Sequence, residues 1–323
     1  MVRSRGIGPW RVHDVAVTVE PGGRLFAADS LLGYRHLPGT FQITLGDGYA
    51  FGVTHGPDGH RITGPRTGGP GERPGIWIFG CSFTHGWSVE DSETYPWLLQ
   101  ERFPSHEVVN FGASGYSTVH SLLQFRRALA ERRPRVAVLA YADFHDARNT
   151  FARARRKQVA PWNHLGPLSQ PFACLDADGR LRIETAKVVY RPFPLQERLA
   201  LVHAGEIAYN RFEARRGNSN EVSRALIAEM TRLADAHEVP LVIAAIHGGR
   251  RMLRHARENG LPAVEIAVDM NIPANTNLPH DGHPSARAHR HYADVLESFL
   301  LEKVLTADVH VQAYTGDLRA RAP

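Results

Sequence analysis

Apolar and polar positions divide the chain into stretches of different period. Up to about residue 70 the period is two. Asp14 to Glu20 (DVAVTVE) alternates like a half-buried strand. Phe41–Leu45 and Tyr49–Val53 flank Gly46-Asp47-Gly48, which predicts a hairpin. From Gly64 to Gly75 (GPRTGGPGERPG) there is no period at all, so a boundary falls there. Beyond it, short apolar runs alternate with helical patterns. The runs at 76–79, 108–111, 136–141 and 241–246, with a weaker one at 263–268, predict buried strands. Helices are expected over 95–103, 117–132, 220–236 (with Ser219 as its N-cap) and 286–304. Repeated strand–helix units imply a mostly parallel sheet covered on both faces. The expected class is therefore α/β with a mostly parallel sheet covered on both faces, preceded by a small N-terminal β subdomain. The boundaries are 1–70 for that subdomain, 75–305 for the main domain and 306–323 for a tail.

One segment, about 149–217, breaks the rhythm. It holds a basic run (Arg153, Arg155, Arg156, Lys157), Pro161-Trp162, and a hairpin signal at Asp176-Ala177-Asp178-Gly179. An insertion of this length reads as a lid over a site or as a surface subdomain. The basic run reads as a solvated helix face or, with Arg148, as a holder for a phosphate or carboxylate on an anionic substrate.

Composition narrows the class without changing it. The 323 residues are 43% apolar and 22% charged, enough for a sizeable core. The net charge of +5 is spread too thinly to indicate a nucleic-acid partner. Two cysteines, Cys81 and Cys174, make no disulfide framework or zinc spacing. No run reaches the length of a membrane span and the N-terminus lacks a signal-peptide apolar core, so a cytoplasmic protein is expected. Neither a phosphate-binding loop nor a dinucleotide fingerprint is present, so no cofactor and no metal are expected.

In open α/β sheets ligands bind beyond the carboxyl ends of the strands. The first predicted strand of the main domain delivers Gly80-Cys81-Ser82. The second delivers Asn110-Phe111-Gly112-Ala113-Ser114-Gly115, and the third delivers Asp143-Phe144-His145-Asp146 with Arg148 and Asn149. Before the last helix stands His280-Asp281-Gly282-His283-Pro284-Ser285. A serine needs a base, and the base an orienting carboxylate, to act as a nucleophile. Ser82, His283 and Asp281 have those types. Neighbours at a strand end point to opposite sides, so with Ser82 in the cleft Cys81 faces the core. Glycines at 112 and 115 let backbone N–H groups approach a developing oxyanion.

Taken in order, Gly80-Cys81-Ser82, Asn110-Phe111-Gly112 and Asp281-Gly282-His283-Pro284 resemble the blocks of the SGNH (GDSL-type) hydrolase superfamily, over about residues 75 to 300. Cys81 stands where that family usually has aspartate, and D-x-H replaces the commoner D-x-x-H. The third block departs further: His145 stands where the family has its oxyanion asparagine. An imidazole N–H can donate in that role, and Asn149 is a second candidate.

The resemblance implies a three-layer α/β/α, SGNH-like and flavodoxin-like fold, and a serine esterase acting on an O-acyl ester, O-acetyl foremost, of a carbohydrate or small metabolite. Ser82, Asp281 and His283 form its triad. Ser82, Gly112, His145 and Asn149 hold the oxyanion, and Arg148 and Asn110 contact substrate. An acyltransferase with a sugar or metabolite acceptor is the alternative. A binding protein that kept the fold without the chemistry is a third reading.

Overall fold

A computed structural model describes residues 17–64, 73–165 and 168–305. The first half of the strand expected at Asp14–Glu20, most of the 64–75 linker, the side chain of Trp162 and the tail from Ala307 lie outside the described residues or side chains. Backbone proximity groups the chain into two compact units. Of the described residues, one comprises 17–59, 115–123 and 144–229; the other comprises 60–114, 124–143 and 230–305.

The first unit begins with β1 (Thr18–Glu20), β2 (Phe26–Asp29), β3 (Gly33–His36), β4 (Gly39–Thr44) and β5 (Ala50–His55). β4 and β5 form the expected hairpin around the Gly46–Gly48 turn, in the register Phe41↔Val53, and β1 pairs with β4. β2 and β3 make a second antiparallel pair.

The chain then enters the second unit through β6 (Gly75–Phe79), α1 (Ser82–His85), α2 (Tyr95–Arg102) and β7 (Glu107–Asn110). It continues along α3 (Thr118–Leu129) to β8 (Val136–Ala142). Back in the first unit it builds α4 (His145–Asn149), α5 (Arg153–Val159), the hairpin β9 (Ser169–Leu175) and β10 (Leu181–Lys187), α6 (Ala200–Arg216) and most of α7 (Ser219–Ala236). The last elements are β11 (Leu241–His247), α8 (Arg250–Glu258), β12 (Ala263–Glu265) and α9 (Ala286–Lys303).

The second unit is organised on a parallel sheet in the order β12-β11-β8-β6-β7. Counted from its first strand in sequence, this is order 2-1-3-4-5, the flavodoxin-like winding. The sheet is flanked by helices, in agreement with the expected three-layer class. Every residue of β6 and β8 is buried, which is why these strands read as unbroken apolar runs. Trp77, Phe79, Phe111 and Phe125 pack together, with the Phe79 and Phe111 rings stacked at 4.5 Å. Two helix starts carry caps. Thr94 Oγ1 accepts from Trp97 N–H, with Pro96 in the first turn of α2, and Ser285 Oγ accepts from Ala288 N–H at the start of α9.

Several expectations are corrected here. Ser219 lies inside α7 rather than capping it. α6 and α8 were not anticipated: α8 buries only Met252, Leu253 and Ala256 among arginines, so its periodic signal is thin. The 149–217 segment is built of helices and a hairpin, and its basic run is neither a solvated face nor an open anion site. Glu206 is fully buried; its two carboxylate oxygens accept from Arg153 Nε at 2.9 Å and Lys157 Nζ at 2.5 Å. Tyr190 Oη and Gln196 Nε2 also donate to it. Arg156 pairs with Glu213, and Arg155 is buried with its guanidinium donating to Gln158 and Gln170. Arg153, Arg156 and Lys157 thus pair with carboxylates of their own unit, and Arg155 with carboxamide oxygens.

Candidate active site

The site grows from the carboxyl end of β6. In this winding the crevice opens where strand order reverses, between β6 and β8, and β6 delivers its last residues there. The strand stops at Gly80, and Ser82 opens the single turn α1. Cys81 is fully buried and Ser82 is 6% exposed.

Ser82 Oγ lies 2.9 Å from His283 Nε2, and His283 Nδ1 lies 2.5 Å from Asp281 Oδ1. The ring therefore donates Nδ1–H to the carboxylate and accepts the serine proton at Nε2. The short D-x-H spacing explains the fit. Asp281 Oδ1 also accepts the backbone N–H of His283 at 2.7 Å, so one oxygen fixes both the backbone and the ring of the residue two positions on. The other oxygen, Oδ2, accepts Trp87 Nε1–H at 2.8 Å. Burial alone would raise the Asp281 carboxyl. The hydrogen bonds and charge of His283, with the Trp87 donor, outweigh it and hold the group below its ordinary value.

Two loops frame these side chains. Arg61, buried without exposed surface, threads under the turn that follows α1. It donates to the carbonyls of His85, Gly86 and Val89 and pairs with Asp91 Oδ1 at 2.7 Å. Asn277 Nδ2 donates to both Ser88 O and Ser88 Oγ, at 2.8 and 2.9 Å. It thereby ties the loop bearing Asp281 and His283 to the loop bearing Trp87. Sequence reading missed Trp87, Arg61 and Asn277. The one local signal was that Trp87 follows Ser82 by five residues; the partners of Arg61 and Asn277 become visible only in three dimensions.

The expected oxyanion and substrate residues fare differently. Asn110 is fully buried: its Oδ1 accepts Gly112 N–H at 2.9 Å and its Nδ2 donates to Thr84 O at 3.0 Å. Asn110 is thus a clamp between two loops rather than a substrate contact, and the Gly112 N–H expected to face an oxyanion is already engaged. Gly112 is glycine for another reason. A side chain there would start 2.5 Å from His85 N, so only glycine lets the two backbones approach.

His145, Arg148 and Asn149 belong to the other unit. Asn149 is buried, with Oδ1 accepting from Val119 N–H and Nδ2 donating to Ser223 Oγ, so its carboxamide is held within that unit. Arg148 donates to Tyr116 O and lies over the Phe144 ring at 4.3 Å. His145 is buried with its ring edge-on to Phe144 at 5.2 Å. Of the sequence-nominated residues, the structure brings Ser82, Asp281 and His283 into direct contact.

No protein-family model matches the chain, and no curated protein does. The chain is similar to solved structures of the G-D-S-L type. One is a candidate lipolytic protein of the G-D-S-L family from Desulfitobacterium hafniense DCB-2, at 14% identity and TM-score 0.42, over 71% of this chain and 100% of that one. Another is a GDSL-like lipase from Bacteroides thetaiotaomicron VPI-5482, at 14% identity and TM-score 0.37, over 69% and 86%. A third is a two-domain esterase active on acetylated mannans, at 14% identity and TM-score 0.36, over 72% and 50%. At this distance the chain's own side-chain geometry has to carry any reading of activity.

Proposed function

We propose that the protein is a serine esterase that cleaves an O-acyl ester of a carbohydrate or small metabolite through an acyl-enzyme on Ser82. The observation that supports this reading is the unbroken relay from Ser82 Oγ through His283 to Asp281, at 2.9 and 2.5 Å. A relay of this kind does one chemical job: it removes the serine proton as the oxygen attacks a carbonyl. His283 Nε2 takes that proton, Ser82 Oγ bonds to the acyl carbon, and the tetrahedral intermediate collapses with proton return to the leaving alcohol. Water then attacks the acyl carbon as His283 Nε2 takes its proton, and collapse of the second tetrahedral intermediate returns that proton to Ser82 Oγ and releases the carboxylic acid. Asp281 keeps the ring in the Nδ1–H tautomer and stabilises the imidazolium. The backbone N–H of Ser82, at the first position of α1, supports the oxyanion.

The test uses the full chain. Wild type is expected to take up a fluorophosphonate probe at Ser82 and to hydrolyse p-nitrophenyl acetate. Ser82→Ala is expected to lose labelling and to lose kcat by about 10⁴-fold or more. A folded wild type that neither labels nor turns over would overturn the reading.

A further inference from the structure

Helix α6 carries its large apolar residues on the wrong side for a chain that stays single. The residue it buries is a carboxylate, Glu206, while Leu201 is 83% and Phe212 56% exposed. Leu201, Gly205, Ala208 and Phe212 are all exposed, and their spacing of i, i+4, i+7 and i+11 puts them on one helix face. Glu206 lies outside that stripe.

Three features of the chain point to a second copy as the cover. The first is the order of sizes. About a point midway between Glu206 and Ile207, Leu201 is as far along the chain as Phe212, and Gly205 as far as Ala208. A two-fold axis at that level lays α6 antiparallel to its own copy, Leu201 against the partner's Phe212 and Gly205 against the partner's Ala208. Small residues then meet where the helices are closest, and large ones close the contact on either side. The second is Gly205 itself. A glycine inside a helix costs about 1 kcal/mol relative to alanine. A Cβ there would meet nothing within 4 Å among the described residues, so no contact of its own chain requires the glycine. Close approach of a second helix does.

The third feature is charge. Glu197, two residues before the N-cap Leu199, and Arg216, the last residue of α6, are both exposed and stand equally far from the same midpoint. The two-fold sets Glu197 of one copy beside Arg216 of the other and runs the two helix dipoles in opposition. Arg198 and Arg215 also reach these rims, where their long stems let the charged ends turn to solvent. Beside Phe212 the surface sinks into a hollow lined by Thr150, Ala152, Tyr209, Glu213 and Arg216, which gives the partner's Leu201 a seat.

We infer that the exposed face of α6 is a self-association surface, on which two copies of this chain pack α6 against α6, antiparallel, about a two-fold axis level with Glu206 and Ile207. The inference does not depend on the esterase reading.

Sedimentation equilibrium of the full chain between about 1 and about 100 µM tests it, with wild type expected to reach twice the mass of one chain. Leu201→Glu and Phe212→Glu each put a carboxylate into the contact and are expected to raise the dissociation constant about tenfold or more. Gly205→Leu separates association from folding. Its side chain enters open space in the single chain and is a better helix former, so the melting temperature measured below the dissociation constant should not fall. Dimerisation should nevertheless weaken about tenfold or more, because the helices no longer meet closely. Glu197→Arg and Arg216→Glu are each expected to weaken association, and the two changes in one chain to restore it, since the exchange re-forms the pair across the two-fold. A wild type that keeps the mass of one chain at about 100 µM overturns the inference. Recruitment of that single chain to vesicles of anionic lipid, lost in Phe212→Glu, would assign the face to a membrane and overturn it too. A dimer that survives Phe212→Glu and Gly205→Leu, or a charge exchange that restores nothing, overturns the antiparallel pairing.

Discussion

At the scale of single residues, the site turns on where two oxygens of Asp281 are spent. Oδ1 serves His283 twice and Oδ2 serves Trp87. Trp87→Phe keeps the ring and removes the N–H, so the carboxylate gains a rotational freedom it does not have now. A hydrogen bond to a charged group contributes about 1.5–3 kcal/mol. The expected outcome is a fall in kcat on p-nitrophenyl acetate of roughly tenfold or more, with KM little changed. An unaltered kcat would show that His283 alone holds the carboxylate. Cys81 has the opposite character. It is fully buried behind the nucleophile and behaves as a small core residue. Cys81→Ala is expected to lower stability by about 1 kcal/mol with kcat within a factor of a few. A thousandfold loss of rate at unchanged melting temperature would reinstate the thiol as a chemical group.

At the scale of elements, the site depends on loops that no periodic pattern describes. The strands β6, β8 and β11 were legible because each is an apolar run buried on both faces. The hairpins at 39–55 and 169–187 were legible because their turns carry Gly and Asp. α6 and α8 were not, since α6 leaves its apolar residues uncovered and buries only Glu206, and polar residues dominate α8. The loop after α1 is held from beneath by Arg61, whose guanidinium satisfies three carbonyls and Asp91 without solvent. Arg61→Met removes those donors and strands the carbonyls. A loss of about 3 kcal/mol or more is expected from the denaturant midpoint. Because Trp87 rides on that loop, rate should fall with it. A variant as stable as wild type would mean that water replaces the guanidinium at no cost.

At the scale of the whole molecule, stability should depend on pH through histidines buried without charge. Burial, with the nearby charges of Arg61 and His283, pushes His289 down to about 3. Its Nδ1 accepts Tyr95 N–H, which requires the neutral ring. Burial, aided by Arg155, also holds His120 well below its ordinary value. The unfolded chain protonates both near 6.5. The stability linked to these groups is therefore complete above about pH 6.5 and is lost as pH falls below it, for His289 through the window down to about 3 at about 1.4 kcal/mol per pH unit. Urea midpoints between pH 7.5 and 5 should decline in the wild type. His289→Gln should decline less steeply, whatever its starting stability. Parallel slopes would mean that His289 charges in the folded state.

The chemistry-bearing types were readable along the chain because Ser82, Asp281 and His283 each sit in a short polar block at the end of an apolar or helical run. Strand positions were readable for the same reason, since burial on both faces forces continuous apolar runs. Distance was not. Only folding brings His283 against a serine 201 residues away and Trp87 against an aspartate 194 residues away. The partner choices of Asn110 and Gly112 were also invisible. A carboxamide and a backbone N–H each have more than one possible partner, and a sequence does not say which partner is nearest. Residue type determined what chemistry was on offer; the packing of loops decided which donors were spent on holding the site and which side chains face it.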